Sequence, residues 1–154
     1  SLVQTGNVAL VVSVLSLFTP AMFGHFDPGP AQRRRWIVRA ALAMASITAL
    51  MAFLPLGWVD VGGMVALAVI SGSGVLQYAN VRASYSAEMS GRAMSVFTMA
   101  MFLGVAVVQS LSGLAASWSL SLGQDPYAGV LVCVASLLVL GAMAFRLLPV
   151  ARLS

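Results

Sequence analysis

The chain has no lysine, one cysteine (Cys133), one histidine (His25) and four acids, Asp27, Asp60, Glu88 and Asp125, in 154 residues. Each scarcity closes a class of protein. A lone cysteine forms neither an intramolecular disulfide nor a cysteine-based metal site. The sequence contains no metal cluster, glycine-rich phosphate loop or nucleophile constellation, so no cofactor is expected. Charged residues make up 8% of the chain, whereas a soluble domain carries about 25% to keep its surface wet. A water-facing globule is therefore excluded. Disorder is excluded as well, because it requires low hydrophobicity and high net charge. Here 60% of residues are hydrophobic and the mean hydropathy is +0.99. The composition is that of a membrane protein.

The few charges divide the chain into five charge-free windows, Ser1–Phe26, Ala40–Val59, Val61–Val81, Ala93–Gln124 and Pro126–Phe145, of 26, 20, 21, 32 and 20 residues. A helix rises 1.5 Å per residue, so about 20 residues cross a hydrocarbon core about 30 Å thick. Five crossings are predicted, at 6–26, 37–56, 62–81, 93–117 and 127–148, with a polar loop after Ser117. Their Leu, Val, Ala and Met content suits helices, and none alternates as a barrel strand does. The first window lacks a basic leader and is followed by a basic cluster instead of a cleavage site, which excludes a signal peptide.

All eight arginines fall on one side of these spans: Arg33, Arg34, Arg35 and Arg39 after the first, Arg82 and Arg92 after the third, Arg146 and Arg152 at the close. The remaining loops hold Asp60 and Asp125. The positive-inside rule makes the arginine side cytoplasmic, with the N-terminus outside and the C-terminus inside. Trp36, Trp58 and Trp118 sit at span ends, as in an aromatic belt. Asp125-Pro126 reads as an N-cap followed by proline at the first helical position, Asp60 suits the positive end of span three, and Ser90 is expected to cap span four. With this topology Ser1 is expected to be internal to a longer chain and, if the whole protein starts inside, to be preceded by an odd number of spans.

This pattern resembles the C-terminal portion of a major facilitator superfamily (MFS) transporter, helices eight to twelve. The short loop Gly24-His25-Phe26-Asp27 followed by Arg33-Arg34-Arg35 is similar to the family's glycine–acid–basic loop between helices eight and nine. Ser90-Gly91-Arg92-Ala93, with Gly104 and Ser112-Gly113 beyond it, is similar to the family's eleventh helix. The resemblance implies an all-α integral membrane fold, five helices of an MFS-type bundle, in the bacterial inner (plasma) membrane. It also implies that spans one, three and four contribute to a cavity while spans two and five mainly support it. The expected partners are the lipid bilayer, a small-molecule solute and the missing N-terminal half of the same chain, with no nucleic acid.

No acid or base lies in the middle of a span, so the segment offers no proton-relay carboxylate. Ser73, Gln77 and Asn80 share one helix face, and either line a substrate cavity or bond across a helix contact. Thr98, Phe102, Val105 and Gln109 form a second such face in span four, with Thr98, Phe102 and Gln109 its cavity candidates. The glycines of Ser71-Gly72-Ser73-Gly74 are expected to serve packing or local bending, as are Ala41, Ala45 and Ala49 at four-residue spacing. Pro20 removes a backbone donor and is expected to bend span one. Met94, Met99 and Met101 read as adaptable packing and Cys133 as a buried filler. His25 is expected to face headgroups or the loop.

Secondary transport by alternating access is the leading expectation. Asp27, Arg33, Arg34, Arg35, Glu88 and Arg92 are its candidate gate residues, forming a charge-assisted latch with the other bundle in one state. The competing reading is a non-transporting membrane subunit or anchor whose helices only pack. An intramembrane enzyme ranks last, since it needs a buried acid–base pair or metal ligands that none of the spans offers.

Overall fold

The computed structural model of the chain describes residues 2–54 and 56–147. Among them every regular element is helical: α1 (Leu2–His25), α2 (Pro30–Phe53), α3 (Gly57–Ser71), α4 (Gly74–Ala83), α5 (Ala87–Ser121) and α6 (Pro126–Leu147). With α3 and α4 taken as one rod, five helices are long and apolar enough to cross a membrane. The last residue of the fifth expected span, residue 148, and Arg152 lie outside the described residues.

The boundaries follow from local chemistry. After α1 the Asp27 carboxylate accepts the Gly29 N–H at 3.1 Å, Gly29 takes φ +81°, and Pro30 opens α2 at a position where its missing donor is not needed. At the head of α6 the Asp125 carboxylate accepts the Tyr127 N–H at 3.0 Å, the N-cap bond that the Asp-Pro pair anticipates. The helical assignment of α1 runs through Pro20.

Two elements depart from the simplest reading of the sequence. The third span is not one continuous helix. At Gly72 and Ser73 the backbone tightens: Gly72 N–H turns to the Val69 carbonyl (3.3 Å) and Ser73 N–H to the Ile70 carbonyl (2.9 Å). These are three-residue closures of the 3₁₀ kind. The Ala68 carbonyl then accepts the Ser71 hydroxyl at 2.8 Å and the Thr19 hydroxyl of α1 at 3.4 Å. The fourth span differs in length. No loop follows Ser117; α5 continues to Ser121, and it begins at Ala87, before Ser90, with Ser86 in the N-cap position. At 1.5 Å per residue its 35 residues extend about 52 Å, well beyond an apolar core of about 30 Å.

Helix α2 packs most extensively on α6; α5 lies against α6 and α4, and α1 against α3 and α4. The Ala41/Ala45/Ala49 ridge explains the first contact, because small side chains let two backbones approach. Ala45 on α2 and Ala135 and Ala142 on α6 are buried. By contrast Phe18, Trp58, Phe102 and Trp118 are exposed, with Phe102 at 72%. Apolar surface on this scale is not left to water by a monomeric soluble protein; the helices are consistent with an integral membrane protein.

Hydrogen bonds also sort the two ends of the bundle. The α1–α2 loop, the last turns of α4 and the C-terminal end of α6 meet at one end through Arg33 and Arg34. The first turns of α3 and α6 meet at the other, where the Tyr127 hydroxyl approaches the Asp60 carboxylate at 3.5 Å. Among the described residues, Arg33 and Arg34 therefore lie at one end, and Asp60 and Asp125 at the opposite one.

Candidate functional site

A cavity of about 320 Å³ opens between α2, α4, α5 and α6. Its polar groups come from Gln77 and Asn80, one turn apart on α4, while Ala41, Gly141 and Ala142 leave the space that larger residues would fill. Phe97 and Phe145 close its walls. The Phe97 ring is steadied by an edge-on contact with Tyr78, centroids 5.0 Å apart at 87°, a favoured aromatic geometry. No charged residue lines this cavity. It offers amide donors and acceptors inside an apolar wall, which is chemistry for orienting a neutral or weakly polar molecule.

The other candidates lie elsewhere. Ser73 is buried at the α3–α4 break and does not line this cavity. Thr98 is half-buried and donates its hydroxyl to the Met94 carbonyl at 2.9 Å, a bond within its own helix. Phe102 and Gln109 are exposed on α5. Thus Gln77 and Asn80 come together, and Ser73, Thr98, Phe102 and Gln109 do not join them. The helices around the cavity also differ from those the resemblance implies, since α2 and α6 contribute walls and α1 does not.

The gate candidates divide in the same way. Arg33, 7% exposed, forms an ion pair with Asp27 through Nη2. Its Nε donates to Asp27 Oδ1 at 3.0 Å and its Nη1 to the Ala79 carbonyl at 3.0 Å. The hydrogen-bonded Arg33 guanidinium holds the Asp27 carboxyl below the ordinary aspartate value, opposed by partial burial and assisted by the Gly29 N–H. Arg34 donates to the Phe145 and Arg146 carbonyls at 2.6 and 3.2 Å and lies over the Phe145 ring at 5.3 Å. It satisfies carbonyls left open at the end of α6, where a cation also suits the helix dipole. Arg35, Glu88 and Arg92 are exposed.

Sequence reasoning missed Phe97 and Phe145 as cavity walls, and the aromatic pair of Phe97 with Tyr78. Their only signal is position, Phe97 in span four and Phe145 near the end of span five. Among the described residues no three His, Cys, Asp or Glu side chains gather as a metal site. No protein family, curated protein or solved structure matches the chain.

Proposed function

We propose that these helices belong to a secondary transporter that moves a small uncharged or amphipathic solute by alternating access. The observation that carries this reading is the pairing of Gln77 and Asn80 in a cavity among four helices with no charge on its walls. The broken third span supports it, because discontinuous helices accompany binding sites in transporters. The likeness to the MFS C-terminal bundle rests on topology and loop motifs, and supplies the alternating-access mechanism. In this reading the arginine end faces the cytoplasm of a bacterial cell, and Glu88 and Arg92 on the overhanging start of α5 are the gate groups left to engage another bundle. Arg33 and Arg34 hold this bundle together instead.

Flux measurement in membrane vesicles carrying the full coding sequence that contains this chain tests the proposal. Against a panel of neutral solutes, Gln77→Ala and Asn80→Ala should each raise KM for the transported member, while protein abundance in the membrane stays level. Charge-neutral replacement of Arg92 should shift the balance of inward and outward states. If both cavity variants leave flux unchanged, or no solute moves, the chain is a packing subunit or anchor.

A further inference from the structure

The four arginines at the start of α2 do different work. Arg33 and Arg34 turn inward to Asp27, Ala79 and the end of α6. Arg35 and Arg39 are exposed, and among the described residues neither forms an ion pair. At 100° per residue they stand within about 40° of each other on the helix surface, with Trp36 beside them. Arg33 and Arg34 project from the rest of the circumference. Two cations one turn apart, flanked by an exposed tryptophan at the end of a spanning helix, form an arrangement suited to the membrane interface.

Directly along the same face lies a second feature. Leu42, Ser46 and Phe53 on α2 and Val132, Ser136 and Val139 on α6 are among the residues lining a groove of about 540 Å³. Leu42 begins it three residues after Arg39, and Leu140 ends it on α6. Ser46 and Ser136 donate their hydroxyls to the Leu42 and Val132 carbonyls at 2.9 and 2.8 Å, so the groove presents little free polarity. On α6, Arg146 follows Val139 by two helical turns and is exposed. The Arg34 bonds to the Phe145 and Arg146 carbonyls clamp α2 to α6 at this mouth and fix how far Arg35 and Arg39 stand from Arg146.

We infer that the α2–α6 face binds one anionic phospholipid, with its phosphate held by Arg35 and Arg39, Arg146 at the rim, and an acyl chain in the groove. Charge complementarity selects the headgroup: Arg35, Arg39 and Arg146 are exposed at this end of α2 and α6, and Asp27, the acid that precedes α2, is already paired with Arg33. Guanidinium groups bind phosphodiester oxygens in pairs of hydrogen bonds. The groove selects a lipid over a free anion, because it is apolar, elongated along the helices and open to the bilayer. This inference rests on the membrane character of the helices and is independent of transport.

The test is native mass spectrometry of the purified full-length protein in detergent, titrated with equal amounts of dioleoyl-phosphatidylglycerol and dioleoyl-phosphatidylcholine. The wild type should retain the anionic phosphatidylglycerol preferentially. Arg35→Gln with Arg39→Gln should weaken its retention roughly thirtyfold, the scale of two interfacial arginines. Arg35→Lys with Arg39→Lys, which keeps the charge, should fold alike and retain part of the preference, and Arg82→Gln on α4 should change nothing. Ser136→Phe should weaken dioleoyl-phosphatidylglycerol while sparing the dihexanoyl form. Equal retention of both lipids by the wild type, or an unchanged Gln double variant, overturns the site. Complete displacement by millimolar inorganic phosphate reduces it to a simple anion site and overturns the lipid assignment, as does an indifferent Ser136→Phe.

Discussion

Thr19 of α1 and Gly72 at the α3–α4 break touch with no room for a methyl group between them. A Cβ on Gly72 would sit 2.6 Å from both the carbonyl carbon and the Cβ of Thr19. The obstacle is partly backbone and cannot rotate away. Thr19 also donates to the Ala68 carbonyl, while the Gly72 N–H bonds to Val69. Gly72→Ala should therefore destabilise the bundle by about 1–3 kcal/mol, the usual cost of overpacking. Gly74→Ala, with open space at its Cβ, should be neutral or stabilising by up to about 1 kcal/mol. Denaturation in mixed micelles compares the two.

A second close approach should be more forgiving. A Cβ on Gly129 of α6 would meet the Ser119 hydroxyl of α5, with the Ser119 Cβ at 3.0 Å. A hydroxyl on one rotatable bond can swing aside. Gly129→Ala should cost less than about 1 kcal/mol alone, and the double variant Gly129→Ala/Ser119→Ala should recover most of it. A cost equal to that of Gly72→Ala would show that α5 and α6 cannot yield.

Arg33 ties three segments together, and its removal should carry a pH signature. Arg33→Gln leaves Asp27 without its cation and the Ala79 carbonyl without this donor. A loss of about 1.5–3 kcal/mol is expected for a charge-assisted pair. Because Asp27 is held below the ordinary value of 3.8, its contribution is present above that pH and disappears as pH falls through the lower folded-state value. The wild type should therefore lose stability below about pH 3.8, and Arg33→Gln should lose most of that dependence, keeping the part due to the Gly29 N–H. Denaturation midpoints of both proteins from neutral to strongly acid pH measure it.

The five long apolar helices were legible because an apolar window needs only length and the absence of charge, and both are written directly in the sequence. The break in the third span was half legible: Ser71-Gly72-Ser73-Gly74 announces bending or close packing, but hydropathy carries no phase, so the turn at Gly72 did not show. The end of α5 was read as a loop because serines gather there. Those serines bond to their own helix instead, Ser117 to the Gly113 carbonyl at 3.1 Å and Ser121 to the Trp118 carbonyl at 2.7 Å, so their polarity does not stop the helix. The distant arginine partners were illegible, since they are backbone carbonyls, Ala79 and Phe145, 46 and 111 residues away. Of the polar residues on the expected face of the third span, Gln77 and Asn80 line the cavity between α2, α4, α5 and α6, and Ser73 does not.

At the acidic end, two bonds involving Tyr127 should differ sharply in worth. Its backbone N–H meets the Asp125 carboxylate at 3.0 Å in an N-cap, whereas its hydroxyl meets Asp60 only at 3.5 Å and exposed, the limit of a hydrogen bond. The cap satisfies a helix-end donor that has no other partner within α6, and the carboxylate also lies at the positive end of the helix. Asp125→Ala should therefore cost about 1 kcal/mol, and Asp125→Asn or Asp125→Ser should restore most of it, since both cap well. Tyr127→Phe should cost less than about 0.5 kcal/mol. The ordering is read from denaturation midpoints in one detergent; a larger loss in Tyr127→Phe than in Asp125→Ala would mean that the α3–α6 contact, not the cap, secures this end of the bundle.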